Sequence, residues 1–591
     1  MNKWLILNKN LPAGPLRSEA SKAGSNIKNK KLTTSEIIKV LLRNRGLRNK
    51  KEIDNFLNPK LSELTIQSVG IDKKEIEKSV GRIKQAIKNK EQIIVFGDYD
   101  VDGICGSAIL WETLNNLGAK VLPYIPHRID EGYGLSEIGI KNILAKHPNT
   151  SLIITVDNGI VANDAVEFAN KNNIDVIITD HHVPSVKLPN AFSIVHTTAL
   201  CGAGVAWLLS KEIRNSKFEI RNKSQIQNHK LQTNSHLELA VIATVADLVP
   251  VTGGNRIILK FGLEELRKTK RPGLVALIKE AAIEQSEIGV FEIGHILGPR
   301  INAMGRLELA MDSLRLLCTK DEKKCEELAG KLGETNKRRK DITIESFEHA
   351  KSKVKNQKLK IKNKIIIGDK SYKAGVVGLM ASRLVDEFYK PSIVLSIGKK
   401  FSKASARSIP GFNIIEFIRK ASDLLVDVGG HPMAAGFTVE TSKIKLLTEK
   451  LSKLAKSLVT LEMLERVVKI DAEIDAQDIN SRLYNGFSKL APFGVGNPQP
   501  VFVTKNLLVS DMRLVGVDGR HIKLNLESKI PASPAGRSNL KFDAIAFGMG
   551  DRSSEFHIGD EIDVAYQIEQ NEWNGNSKLQ LKVKDLKINS K

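Results

Sequence analysis

Acidic and imidazole side chains gather at the ends of four apolar runs in this chain. In Ile93-Ile94-Val95-Phe96-Gly97-Asp98-Tyr99-Asp100-Val101-Asp102-Gly103, three aspartates fall at every second position behind a β-branched and aromatic run. That pattern reads as a buried strand whose carboxyl end aims alternate side chains at one point. Three crowded carboxylates repel one another unless a cation sits among them, so the set points to a divalent metal. The alternative is a solvated turn followed by a helix cap, because Asp102-Gly103 precedes the apolar run Ile104 to Leu110. Two further runs weigh the balance towards metal: Ser151 to Val156 ends in Asp157-Asn158-Gly159, and Ile174 to Thr179 ends in Asp180-His181-His182. A lone histidine is more often structural than a ligand, but Asp-His-His after a buried strand offers both imidazole and carboxylate donors. A fourth run, Leu239 to Ala246, ends in Asp247. Open α/β sheets collect ligands beyond the carboxyl ends of their strands, which is where these donors would meet.

The elements that must position them alternate in the same way. From about Glu75 to Gly262 strand-like and helix-like segments take turns, which argues for a parallel sheet covered on both faces. Between Asp321 and Val354 the chain is charged, with Cys325, Leu328, Leu332 and Thr335 at helical spacing and Ile342 and Phe347 further on. This predicts a long helix joining two lobes. A second α/β unit follows, with apolar runs Lys364 to Gly368 and Ser392 to Ser396 around a helix starting near Val377. After Leu464 short strands alternate with Gly and Pro turns, which suits a small oligonucleotide-binding (OB) barrel. Its aromatics Phe493, Phe547, Tyr566 and Trp573 read equally well as core or as stacking platforms. Leu11 to Lys31 and Arg214 to Asn234 are polar stretches with no sustained apolar face, expected to be inserted loops without a catalytic role.

With 591 residues, 41% of them hydrophobic, the chain is long enough for several ordinary cores. A formal net charge of +23 favours a polyanionic partner, either nucleic acid or an acidic membrane surface, against the plain alternative of lysine-rich solvated faces. Four cysteines, Cys105, Cys201, Cys318 and Cys325, with no Cys-x-x-Cys pair, indicate neither a disulfide framework nor structural zinc. That fits a reducing, cytoplasmic setting. The opening Met1 to Leu7 lacks a signal-length apolar core and no membrane-spanning run stands out. Neither a Walker phosphate loop, a Rossmann glycine fingerprint nor a Gly-x-Ser-x-Gly elbow is present.

The motifs resemble those of the DHH phosphoesterase superfamily and, within it, the bacterial family of single-strand-specific exonucleases. The matching segments are Gly97 to Gly103, Val156 to Gly159, Asp180-His181-His182 and Ala246 to Pro250. Pro126-His127-Arg128 with Glu131 to Gly134, Gly298 to Arg306, Ser405-Ala406-Arg407-Ser408, Gly429 to Gly436 and Pro492 to Pro498 follow in the family's order. The resemblance implies a parallel-sheet DHH domain, a connecting helix, a second α/β (DHHA1) domain and an OB-like β-barrel. On this chain they would occupy 75–320 (with the loop 214–234), 321–356, 357–460 and 461–591, after a variable region over 1–74. It also implies a 5′→3′ exonuclease that degrades single-stranded DNA to mononucleotides in recombination and repair.

By the same resemblance Asp100, Asp102, Asp157, His181 and Asp247 would ligate two divalent cations, Mn²⁺ or Mg²⁺, with Asp157 the bridge. Such a pair activates water and offsets phosphate charge in an in-line displacement without a protein nucleophile. Asp98 would hold a metal-bound water, and His182 would act as a supporting or acid–base group. Arg128, Arg300, Arg306, Ser405, Arg407 and His431 would line the strand path or a terminal phosphate pocket, the arginine forks suiting phosphate. For Arg300 and Arg306 the alternative is structural pairing with carboxylates. For Gly429-Gly430-His431 it is a tight turn. The chain departs from the family at Phe96, where some members carry a histidine, at Ala404, where a glycine is usual, and at His196, where relatives carry asparagine. Implied partners are single-stranded DNA, a single-strand-binding protein and a RecQ-type helicase, with no membrane. Two other functions stay open: a DHH/DHHA1 phosphodiesterase on short oligonucleotides or cyclic dinucleotides, and a non-catalytic replication scaffold. The carboxy-terminal barrel argues against the first, and the retained acids and His181 against the second.

Overall fold

A computed structural model describes residues 2–10, 32–128, 130–216, 236–356, 363–528, 540–573 and 576–588. The expected insertion Leu11 to Lys31 lies outside the described residues, as does that at 214–234 from residue 217 onward. Arg214 and Asn215 end the helix Gly202–Asn215. The chain divides into two compact units, Pro59–Leu464 and Met1–Asn58 with Glu465–Lys591.

The larger unit holds two sheets. The first has five parallel strands in the order Lys120–Tyr124, Gln92–Gly97, Thr150–Val156, Asp175–Asp180, Ser193–His196. Its central strands are apolar on both faces because both are covered. Ile93, Val95, Leu152, Ile154 and Ile177 face one core, while Ile94, Phe96, Ile153, Val176 and Ile178 face another. The period-two alternation of a strand accounts for that split. Register then fixes the strand ends: Gly97 lies opposite Val156, and Val156 opposite Thr179. Asp98 and Asp157, just beyond their strands, and Asp180, the last residue of its own, therefore lie at one level of the sheet.

The expected connecting helix is Glu322–Asn356. Cys325, Ala329 and Leu332 enter the core of the first sheet, and Phe347, Ala350 and Val354 enter that of the second. One helix thus seals both lobes by changing which core its apolar stripe faces. The second sheet runs Leu425–His431, Ala434–Glu440, Phe401–Arg407, Ser392–Ser396, Ile365–Asp369; only the last two strands pair in parallel.

In the smaller unit the strands Phe502–Val515, His521–Ser528, Leu540–Ala546, Asn576–Ile588 and Glu561–Trp573 close into a barrel, since the first also pairs with the last. The two ends of the chain meet here. Lys3–Ile6 pairs in parallel with Val467–Ile470, Trp4 Nε1 donates to Asp585 at 2.6 Å, and Arg45 Nε donates to Asn497 Oδ1 at 2.7 Å. Helices Thr34–Asn44 and Lys50–Leu57 bury Ile37, Leu41 and Phe56 in the barrel's own core. Residues 1–58 thus belong with 465–591 in one unit, where the sequence reading treats 1–74 as a region by itself.

Candidate metal centre and anion path

Asp98 and Asp100 follow the strand Gln92–Gly97, and Asp102 lies in the first turn of the helix Val101–Asn116. Asp100 caps that helix, accepting from the amides of Asp102 (2.9 Å) and Gly103 (3.1 Å), so a helix cap coexists with the acidic cluster, two residues before the Asp102-Gly103 start read from the sequence. Asp102 is buried, and its two oxygens accept from the amides of Gly202 (2.6 Å) and Ala203 (2.7 Å), at the start of the helix Gly202–Asn215. The fit is close: a Cβ on Gly202 would lie 2.6 Å from Asp157 Cβ. Asp157 leaves its strand with φ +62°, a left-handed conformation that asparagine and aspartate tolerate better than most residues.

Three groups of donor atoms result: Asp157, His181 and His182; Asp102, His181 and Asp247; and Asp98, Asp100 and Asp157, each within 4.8 Å. Asp157 and His181 are each shared by two of them. His181 Nε2 stands 3.1 Å from Asp157 Oδ1, 3.6 Å from Asp247 Oδ2 and 3.7 Å from Asp102 Oδ2. Asp98 Oδ1, Asp157 Oδ1 and His181 Nε2 are buried without a hydrogen-bond partner in the protein. Burial, then repulsion from Asp102, Asp100 and Asp98, drives the Asp157 carboxyl well above the carboxylate range. Burial and Asp100 do the same to Asp98, and Asp247 is pushed up to about 9 by burial and then Asp102. Buried acids lifted together, beside an imidazole lowered by burial, form a donor set that a divalent cation satisfies. The residues present fit such an ion.

His182 behaves differently from its neighbour. Burial opposes its charge, but Asp180 Oδ1 accepts from Nδ1 at 2.8 Å and the carboxylate's charge adds to this, so the imidazole is held above its ordinary value. Asp180 also accepts from the amides of Ile160, His181 and His182. Although burial opposes it, these bonds hold its carboxyl below the usual range. Tyr133 Oη lies 3.1 Å from His182 Nε2. His196, the departure from the family's asparagine, donates from Nε2 to the His182 carbonyl at 2.7 Å. The sequence reading counts Asp180 among the donors of Asp-His-His, whereas here it lies outside the three donor groups and anchors His182; Tyr133 has no role in that reading. An acid that only anchors its neighbour carries no separate sequence signal.

Both lobes of the larger unit contribute to the cationic side. Arg306, on the helix Gly298–Leu307, donates to the Gly375 carbonyl of the second lobe at 3.2 Å. It has been lowered to about 10, first by burial and then by Arg128, Arg339 and Arg407. The Arg128 guanidinium lies 4.9 Å over the Tyr99 ring, and Arg407 donates to Ser405 Oγ at 3.1 Å and to the Ala406 carbonyl. The His431 ring stacks on His182 at 6.1 Å between centroids. Arg300 is engaged elsewhere: it donates to Glu280 at 2.6 Å and to the Ile296 carbonyl. Arg339, on the connecting helix, forks onto Asn336 Oδ1 and was missed, because a charged helical face does not reveal which arginine turns inward. Its signal was Thr335, Asn336 and Thr343, polar residues buried on that helix.

Residues 92–244 match the DHH family N-terminal domain, 352–457 the DHHA1 domain and 470–585 the RecJ OB domain. The chain is 36% identical over 526 residues to the single-stranded-DNA-specific exonuclease RecJ of Bacillus subtilis, covering 87% of this chain and 64% of that protein. It is 28% identical to that of Dickeya dadantii, with 93% and 96% covered. Among solved structures, Thermus thermophilus RecJ in complex with Mn²⁺ superposes with a TM-score of 0.77 at 26% identity, covering 100% of this chain and 80% of that one. A manganese-bound exonuclease RecJ matches at 30% identity with a TM-score of 0.55, covering 65% and 94%.

Proposed function

The chain belongs to the RecJ family of single-stranded-DNA-specific exonucleases, and on that premise we propose that it removes mononucleotides from the 5′ end of single-stranded DNA by metal-dependent phosphodiester hydrolysis, serving recombination and repair. The observation that carries the reading is the nest of Asp98, Asp100, Asp102, Asp157, His181 and Asp247, in which Asp98 Oδ1, Asp157 Oδ1 and His181 Nε2 are buried without a hydrogen-bond partner in the protein.

Asp100, Asp102, Asp157, His181 and Asp247 are the residues we assign to hold two divalent cations, Mn²⁺ or Mg²⁺ as in the Thermus thermophilus structures. When bound, such ions supply Lewis-acid stabilisation of the phosphate and a nucleophile at neutral pH. Asp157 would serve both, a reading supported by a carboxylate that is common to two donor groups and has one oxygen without a partner in the protein. Asp98, beyond the strand end and with one oxygen unpartnered, orients the attacking water. His182, fixed through Nδ1 by Asp180, keeps Nε2 for the proton that the leaving 3′ oxygen takes up. Arg128, Arg306 and Arg407, with Ser405 and His431, receive the strand's phosphates. Arg300 holds its helix through Glu280.

The OB barrel is the further surface for a long single strand. All four cysteines are unpaired and, among the described residues, no helix is long and apolar enough to cross a membrane, and we place the protein in the cytoplasm. A single-strand-binding protein and a RecQ-type helicase are its proposed protein partners. Digestion of oligonucleotides labelled at either end tests the reading. Mononucleotides should leave from the 5′ end only, with Mn²⁺ or Mg²⁺ required; earlier release of a 3′ label would overturn the polarity.

A further inference from the structure

A second cavity lies away from the acids, at the other end of the helix that carries Asp102. Its volume is about 580 Å³, within the range of sites that hold small organic ligands. Trp111, Asn115, Lys268, Thr269, Lys270 and Lys320 are among the residues that line it. Its floor is an ordered charge network. Arg271 donates to Glu112 at 2.6 and 3.0 Å, to Glu238 at 3.1 Å and to the Leu317 carbonyl at 2.7 Å, while His236 Nε2 bonds Glu112 at 2.7 Å. Those partners engage Glu112 and Glu238, and although burial opposes it the Glu112 carboxyl is held down at about 2 by the bonds from His236 and Arg271.

The rim is different. Lys268, Lys270 and Lys320 are exposed, and among the described residues none forms an ion pair. A single rim carboxylate, Glu265, faces these three cations. Lysines that follow helix ends commonly answer only the local dipole. Here three converge on a cavity whose aromatic wall, Trp111, has a buried indole Nε1 with no acceptor in the protein. An aromatic wall, amide and hydroxyl side chains and a cationic rim together fit one ligand class.

We propose that this cavity binds a nucleoside phosphate, with the base against Trp111 and the phosphate among Lys268, Lys270 and Lys320. Trp111 lies nine residues along the helix from Asp102, about 14 Å at the helical rise, so the two sites share one rigid element. The proposal does not rest on the reading of the metal centre. Full-length protein is titrated in EDTA with deoxyadenosine 5′-monophosphate, followed by calorimetry and tryptophan fluorescence, beside inorganic phosphate alone. Binding should quench fluorescence in the wild type and in Arg407→Ala, and the quenching should vanish in Trp111→Phe. Affinity should fall at least tenfold in Lys268→Met/Lys320→Met. Because surface lysines are replaced, this variant should melt with the wild type; if it does not, Trp111→Phe carries the test. Nucleotide binding that disappears with Arg407→Ala and ignores the lysines and Trp111 would overturn the second site. Phosphate binding as tightly as the nucleotide would overturn the nucleoside assignment.

Discussion

At the scale of single residues, the proposed metal centre is a place where the protein, without ions, works against itself. Asp157 is raised well above its ordinary value by burial and by four neighbouring acids, so its charge costs stability at neutral pH. Stripped of metal at pH 8, Asp157→Asn should melt no lower than the wild type, although it loses a charge. With Mn²⁺ added, the wild type should gain several degrees and the variant little. Turnover should fall on the order of 10²-fold or more, since even residues behind metal ligands are worth about 10–100-fold. A metal-free variant that melts far below the wild type would show that Asp157 is a structural anchor and no bridge.

His182 gives the opposite sign. Its folded value is raised by Asp180, and that of Asp180 is lowered. The stabilisation from the imidazole is therefore complete below its unfolded value near 6.5 and is lost as pH rises through the folded value. On the acid side the Asp180 contribution is lost only as pH falls through that carboxyl's depressed value. Asp180→Asn should bring the His182 titration, followed by NMR in the metal-free protein, back down, and should cut turnover about 10–100-fold. An unmoved midpoint would remove Asp180 from the site.

At the scale of elements, the acids meet because helices approach them through glycine. A Cβ on Gly305 would stand 2.4 Å from the Tyr99 carbonyl, so the helix Gly298–Leu307 can lie on the Asp98–Asp102 turn only without a side chain there. Gly202 gives its amide to Asp102 and leaves no room beside Asp157. Gly305→Ala and Gly202→Ala should each cost about 1–3 kcal/mol in urea denaturation, as overpacking does, with turnover falling by more than tenfold. Wild-type stability and activity in both would mean that the turn is looser than these approaches imply.

This scale also explains what was legible in the sequence. Strand ends were, because an apolar run ending in Asp98, Asp157 or Asp180 is a local pattern, and the parallel register aligns them. The helix Glu322–Asn356 was legible from its length and spacing. Invisible were contacts between distant positions: Arg300 turning to Glu280, Arg339 turning inward, and Lys3–Ile6 pairing with Val467–Ile470. Periodicity reports which face is apolar and not which remote element covers it.

At the scale of the whole molecule, Met1–Asn58 and Glu465–Lys591 form one folding unit. Trimming only the first 58 residues should uncover the barrel core around Leu483 and Phe487, which Ile37 and Leu41 share, and should lower the barrel's melting transition. Excising both segments should leave Pro59–Leu464 folded and still able to cleave short oligonucleotides. The excised form should cleave long strands less well, and its salt dependence should lose about 0.7 in log–log slope for each phosphate the barrel contacts. Equal loss on short and long substrates in a folded core would deny the barrel a part in gripping DNA.

The strand Lys3–Ile6 has consequences in time as well as in space. Its partner Val467–Ile470 is synthesised more than 450 residues after it. At roughly 5–20 residues per second, the opening strand and the helices behind it wait tens of seconds for a place to dock. Throughout that interval Ile37, Leu41 and Phe56 lack the core they share with residues from Ala472 onward, so apolar surface made early is covered late.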